Sequence, residues 1–269
     1  MPAPAACAET PVKDAATVAV VRDGPRGLEV LMLRRNAASA FVPRAYLFPG
    51  GAVDPADGDP VLVARCVGWT DDAASAAIGV AGGGLAWWVA AVRECFEEAG
   101  LLLAHRGDGR RIDLDRPVRA ARFAAHRDAL NAATVTFAEI CEGERLQLDV
   151  GTLHPFAHFI TPPGAVRRYD TQFFVTHAPT AQAALHDRRE AVANRWIRPA
   201  EALERNARGG FVLIEPTRAS LEVLARFAAV EDLLGAARSA GRDPDQLAAA
   251  ARREEGVRIT PTSRADGRG

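Results

Sequence analysis

The sequence predicts an α/β chain, and three observations carry that expectation. Two short β-prone runs, residues 16–21 and 28–34, bracket the turn Asp23-Gly24-Pro25-Arg26-Gly27 in a hairpin pattern. A helical stretch follows at residues 85–99, and Gly100 supplies its stop. Later, strand-like runs at residues 156–161, 169–176 and 190–197 precede helices opening at Pro199 and spanning residues 220–234.

The chain is long enough for one generous core. Its 269 residues are 48% hydrophobic and 25% charged, an ordinary globular composition that predicts one domain with insertions. A formal net charge of -1 argues against a nucleic-acid binder that works through a strongly basic surface. Lys13 is the only lysine, a bias towards arginine that high-GC codon usage explains first, although arginine forks also suit phosphate groups. No run has the roughly 18 apolar residues of a membrane span, so no membrane partner is expected. Cys7, Cys66, Cys95 and Cys141 form no C-x-x-C pair. A reducing, cytoplasmic setting is expected, as is a disordered leader over residues 1–14 and a disordered tail over 257–269. The sequence leaves monomer and homodimer open.

The chemistry is expected in AAVRECFEEAGL, residues 90–101. At 3.6 residues per turn, Glu94, Glu97 and Glu98 share one helical face, while Ala91, Val92, Cys95, Phe96 and Ala99 form an apolar face. Crowded carboxylates repel one another, so the cluster calls for a basic partner or a cation, and carboxylate oxygens suit a hard divalent ion such as Mg2+. A solvated acidic helix edge is the plainer alternative. Upstream, Leu47-Phe48-Pro49-Gly50-Gly51 ends in a turn whose glycines let the backbone approach a metal or a diphosphate closely.

Together these segments resemble the Nudix hydrolase family, whose signature is G-x5-E-x7-R-E-U-x-E-E-x-G-U, with U aliphatic. Gly51, Arg93, Glu94, Glu97, Glu98, Gly100 and Leu101 match, and Cys95 stands at one U position. The spacing departs from the signature. Arg93 lies 42 positions after Gly51 where the signature has 14, an excess of 28, and Asp54 or Asp57 stands where the x5-E glutamate is absent. The lead-in Phe41, Pro43, Phe48, Pro49, Gly50, Gly51, Asp54 and Asp57 is similar to the interrupted-box branch that includes mammalian peroxisomal CoA diphosphatases.

The resemblance implies an α/β/α sandwich with a mixed curved sheet, a helical insertion at about residues 54–84, and a C-terminal helical extension. The Nudix domain would span residues 15–226 and the extension 227–256, with a helix at 244–255. The insertion is expected to shape substrate access, and a helix over 113–139, followed by one ending near Gly143, to cap the site. A strand is expected over 151–155. The implied activity is Mg2+- or Mn2+-dependent cleavage of a small-molecule diphosphate, with CoA or acyl-CoA giving a phosphopantetheine and 3′,5′-ADP. Glu97, Glu98, Glu94 and Gly50 would hold the metal, with Glu94 as ligand or water-orienting group and Arg93 pinning the glutamates. Glu190 is a further candidate ligand. Arg44, Arg167 and Arg168 are candidate phosphate contacts, against the alternative of ordinary surface arginines. His154 and His158 read as structural, because a strand does not bring residues four apart together as a helix does. The rival readings are a diphosphatase for a nucleotide sugar, a dinucleotide or NAD(H), and a catalytically weak regulatory module.

Overall fold

The computed structural model of the chain describes residues 10–38, 42–187 and 189–240. It opens on a hairpin of β1 (Val12–Gly24) and β2 (Gly27–Arg35), with Val21 opposite Val30 and Gly24 opposite Gly27. The two arms then part. β3 (Tyr46–Leu47) pairs with Leu33 and Arg34 of β2, and β4 (Gly50–Ala52) pairs with Ala15 to Thr17 of β1. The Phe48-Pro49-Gly50-Gly51 segment therefore fills the fork between the arms, fastened where the Val18 N–H donates to the Pro49 carbonyl at 2.8 Å.

The insertion is a 3-10 turn at Pro55–Gly58, then α1 (Pro60–Val63) and α2 (Asp71–Ile78), and it leads into α3 (Leu85–Ala99). The helix α3 keeps the bounds its sequence predicts. Its exposed N–H groups find partners in α2: Asp71 accepts from Gly83 at 2.8 Å and Leu85 at 3.0 Å, and the Ser75 hydroxyl accepts from Gly84 at 2.9 Å. At the other end Gly100 takes φ 67°, and the N–H groups of Gly100 and Leu101 close on Phe96 and Cys95.

Beyond α3, β5 (Ala104–Arg106) pairs with β6 (Leu146–Leu148) in a separate ribbon, with α4 (Pro117–Asn131) and α5 (Phe137–Gly143) between them in sequence. The helix expected over 113–139 is thus shorter: Pro117 starts it, and a turn precedes Thr136, which opens α5 through a capping box with Glu139. Residues 150–152 form a 3-10 turn where a strand was expected, and β7 (His154–Ile160) follows. Then come β8 (Arg168–His177), β9 (Ala191–Ile197), α6 (Pro199–Ala207), α7 (Glu215–Leu224) and α8 (Val230–Ala240). The single helix expected over 220–234 is broken because the backbone between α7 and α8 is engaged elsewhere: the Leu28 N–H donates to the Ala228 carbonyl, and Asp23 accepts from the Val230 N–H.

The main sheet is mixed, in the order β3-β2-β1-β8-β7, with β9 along β2 and β4 along β1. β1 and β8 run parallel and the other pairs antiparallel. Alternate side chains feed two cores. Val18, Val20, Leu31, Leu33 and Phe174 pack with α3, while Ala19, Val21, Val30, Met32, Phe173 and Val175 pack with the C-terminal helices. Helices on both faces make the sandwich that the resemblance implies.

Two expected boundaries move. Residues 12–14 belong to the sheet and not to a leader, because β8 pairs with β1 from Val12 opposite Arg168, a long-range bond that no local pattern announces. No domain edge falls at 226/227 either, since Leu221 and Leu224 share one core with Val230, Leu233 and Leu234. The expected leader residues 1–9, Phe41, the helix at 244–255 and the tail at 257–269 lie outside the described residues.

Candidate active site

The helical spacing brings Arg93, Glu94, Glu97 and Glu98 beside β4, with Val92, Cys95 and Phe96 buried beneath them. Arg93 organises the group. Its Nη1 donates to Glu94 Oε1 at 2.8 Å and to Glu97 Oε2 at 2.9 Å. Its Nε and Nη2 donate to the two oxygens of Asp57 at 2.7 and 2.9 Å, and Nη2 also reaches the Ala52 carbonyl at 3.0 Å. Glu98 accepts from the Gly50 N–H at 3.0 Å. This last bond ties the helix to the strand in the fork.

Both glycines are required by distance. A Cβ on Gly51 would lie 2.3 Å from Glu94 Oε1, and one on Gly50 would lie 2.5 Å from the Ala16 carbonyl oxygen. Carboxylate and backbone can come this close only because neither residue has a side chain.

The electrostatics follow from burial. Burial pushes the Glu94 carboxyl up to about 7, against the pull of Arg93, and Glu97 and Asp57 add to the rise. Glu97 is raised for the same reason, again with Arg93 opposing and with Asp57 and Glu190 adding. Glu98 is raised well above the carboxylate range by burial and by Glu94, while the Gly50 N–H and Arg35 oppose. Burial works to lower the Arg93 pKa, but the hydrogen bonds to Asp57 and the surrounding carboxylates raise it above its ordinary value. The group therefore holds negative charge at an electrostatic cost that a further cation relieves.

Among the described residues, no three His, Cys, Asp or Glu side chains are set to enclose an ion by themselves, and Glu94 and Glu97 each accept a hydrogen bond from Arg93. The donor set still fits a hard divalent ion of the Mg2+ kind, which takes one or two carboxylates and completes its shell with water and substrate phosphate.

The other sequence candidates divide. Glu190 lies at the edge of the group: its carboxylate is 3.6 Å from Arg35, and its charge acts on both Glu97 and Glu98. Asp54 and Asp57 do not join the carboxylate face. Asp54 caps the 3-10 turn, and Asp57, 1% exposed, completes that capping box and anchors Arg93. The insertion expected only to shape access thus also positions the site, through Asp57 on Arg93 and Asp71 on the α3 N-terminus. Arg44 stands exposed between β2 and β3 at φ 63°, Arg167 is exposed before β8, and Arg168 donates its Nε to the Thr161 carbonyl. None of the three touches the α3 carboxylates. His158 is paired with Asp170, consistent with a structural reading.

Sequence reasoning missed Arg127. Its Nε donates to the Glu97 backbone carbonyl at 2.7 Å, placing a positive charge at the α3 C-terminus where the helix dipole favours one. Nothing in its spacing announces this, because the contact is made from α4 across the fold.

A mixed sheet between helical layers, with R-E-x-x-E-E beside a Gly-Gly strand, defines a Nudix hydrolase architecture. Residues 64–220 match the NUDT19 Nudix domain, and the chain belongs to that Nudix family. It is 28% identical over 239 residues to the human acyl-coenzyme A diphosphatase NUDT19, covering 77% of this chain and 63% of that one. The Gallus gallus protein of the same name is 27% identical over 247 residues, covering 78% of this chain and 64% of that one. The chain thus spans under two thirds of the length of these relatives. Among solved structures, a NUDIX hydrolase from Alicyclobacillus acidocaldarius superimposes with a TM-score of 0.67 at 29% identity, covering 84% of this chain and 96% of that one. Nudix hydrolases generally use divalent metals. No helix among the described residues is long and apolar enough to cross a membrane.

Proposed function

We propose that the chain is a Nudix diphosphatase that cleaves CoA or acyl-CoA to a phosphopantetheine and 3′,5′-ADP with Mg2+ or Mn2+. The observation that carries this reading is the carboxylate face of α3, tied to the Gly50-Gly51 strand through Glu98 and ordered by Arg93. The name shared by the relatives supports the choice of substrate.

In this reading Glu97 and Glu98, with the Gly50 carbonyl, would hold the ion, and Glu94 would be a further ligand or the group that orients the water. A bound divalent ion neutralises diphosphate charge and lowers the pKa of the attacking water. A bound ion would favour the ionised form of Glu94, and a carboxylate within hydrogen-bond reach of the water can take its proton. The water oxygen forms a new P–O bond as the bridging P–O bond breaks, and the leaving phosphate departs with the bridging oxygen. Arg93 keeps Glu94 and Glu97 oriented throughout, which preserves the geometry the reaction needs. A cytoplasmic setting belongs to the same reading, and the free thiols of Cys66, Cys95 and Cys141 support it.

The test is turnover on a diphosphate panel comprising CoA, acyl-CoA, dephospho-CoA, NADH, ADP-ribose and a nucleotide sugar, with Mg2+ and Mn2+. CoA or acyl-CoA should give the highest kcat/KM, and Glu97→Gln and Glu98→Gln should each lower it by about two orders of magnitude or more. Near wild-type rates in both variants would put the metal site elsewhere.

A further inference from the structure

A pocket of about 480 Å³ opens between the N-terminal half of α4 and the turn joining α5 to β6. Its walls carry five arginines, Arg106, Arg116, Arg119, Arg122 and Arg145, and one carboxylate, Glu144. The internal pairing is incomplete. Asp113 lies 3.3 Å from Arg116 and 4.0 Å from Arg119, and Glu144 lies 2.8 Å from Arg122. Five guanidinium groups against two carboxylates leave three positive charges uncompensated. Arg106 and Arg145 have no side-chain partner among the described residues. In a chain whose formal net charge is -1, this is a marked local excess.

Such an excess inside a concave surface focuses the field on whatever enters it. Guanidinium forks match phosphate oxygens two at a time, so several forks around one cavity suit an anion with several phosphates better than a single carboxylate. The volume falls in the range of small-molecule sites, about 300 to 1,000 Å³. Val118, 85% exposed on the pocket wall, offers an apolar face beside the arginines.

We propose that this pocket is a second ligand site, for a small organic polyphosphate of the nucleoside di- or triphosphate class. It is separate from the carboxylate face of α3: α4 meets that helix on its apolar side, where Phe123 packs on Phe96, and at the Glu97 backbone carbonyl, through Arg127 and Asn131, and no residue of α3 lines the pocket. The site does not depend on the reading of the α3 chemistry.

The test uses the full chain in EDTA, which keeps divalent ions from bridging an anion to the α3 carboxylates. Binding of ATP and of inorganic pyrophosphate is measured by calorimetry for the wild type and for the double variant Arg106→Ser, Arg145→Asn. Asn is chosen because residue 145 has φ 52°, which Asn tolerates. Saturable ATP binding is expected, weakened roughly tenfold to a hundredfold in the variant, the scale of one or two charge-assisted contacts. ATP should also slow modification of Arg106 by phenylglyoxal, a readout in the wild type that does not rely on the variant folding. The proposal is overturned by the absence of saturable binding, by equal affinity in the double variant, by modification of Arg106 that ATP leaves unchanged, or by an acidic peptide of similar charge that binds as tightly as ATP.

Discussion

Arg93 grips Asp57 with two parallel hydrogen bonds, Nε to Oδ1 at 2.7 Å and Nη2 to Oδ2 at 2.9 Å, although 36 residues separate them. Asp57 is 1% exposed and the Arg93 side chain 14% exposed, so removing Asp57 leaves the buried Arg93 Nε without its acceptor, while Nη1 keeps its bonds to Glu94 and Glu97. Asp57→Ala should therefore destabilise the fold by about 1 to 3 kcal/mol, the scale of a buried donor left without its acceptor. Urea unfolding checks this, and a midpoint unchanged from the wild type would mean that Arg93 finds another partner. Asp57→Asn, which keeps the shape and can still accept a hydrogen bond, should cost less.

The two glycines of β4 should separate folding from function. A methyl group on Gly50 meets backbone, the Ala16 carbonyl at 2.5 Å, and that cannot yield without loosening β1 from β4. A methyl group on Gly51 meets the end of a side chain, Glu94 Oε1 at 2.3 Å, which can swing away. Gly50→Ala should cost about 1 to 3 kcal/mol of stability, the usual scale of overpacking. Gly51→Ala should keep most of its stability and lose turnover through displacement of Glu94. Melting temperature and kcat, measured on both variants, check the contrast. Equal stability losses would remove it.

The raised carboxylates give a pH dependence with a definite sign. In the folded chain burial raises Glu94 to about 7 from an ordinary 4.5, so the fold binds that proton more tightly than the unfolded chain does. The stabilisation is fully present below pH 4.5 and is lost as pH rises through 7. Metal-free protein should accordingly lose stability from this group across that window, on the order of 3 kcal/mol. Divalent metal should reverse the trend, because it favours the ionised form. Unfolding midpoints at a series of pH values, with EDTA and with Mg2+, provide the measurement. A Glu94→Gln protein with the same slope in EDTA would show that the titration belongs to another group.

What could be read from the chain was what is local. The helix α3 keeps its predicted bounds because its period, its apolar face and the Gly100 stop all lie within one stretch of sequence. The glutamates share a face for the same reason. What could not be read is what the fold brings from a distance: Asp57 on Arg93, Asp71 on the α3 N-terminus, and Arg127 on its C-terminus. The same holds at the chain's edges, where pairing with β8 lengthens β1 to Val12, and where α8 joins the core of α7. Asp57 shows the difference most clearly. The sequence offers it as the stand-in for the missing signature glutamate, while the fold uses it to complete a capping box and to hold Arg93 on another element.

The leaving group distinguishes CoA from other diphosphates. CoA carries a 3′-phosphate that dephospho-CoA lacks, and a charge-assisted arginine contact to it would favour CoA by roughly tenfold to a hundredfold in kcat/KM. Three arginines were drawn from the sequence, and their surroundings now rank them. Arg168 already spends its Nε on the Thr161 carbonyl at the start of β8, whereas Arg44 and Arg167 are exposed and have no side-chain partner among the described residues. Arg44 also lies in the loop just before β3 and the segment that carries Gly50 and Gly51, at φ 63°. Arg44→Ser should therefore narrow the preference for CoA over dephospho-CoA more than Arg168→Ser does, with Arg167→Ser between them. Steady-state kinetics on the two substrates decide the order. Equal kcat/KM for CoA and dephospho-CoA in the wild type would remove the 3′-phosphate from recognition altogether, and a higher value for ADP-ribose or a nucleotide sugar would reassign the substrate.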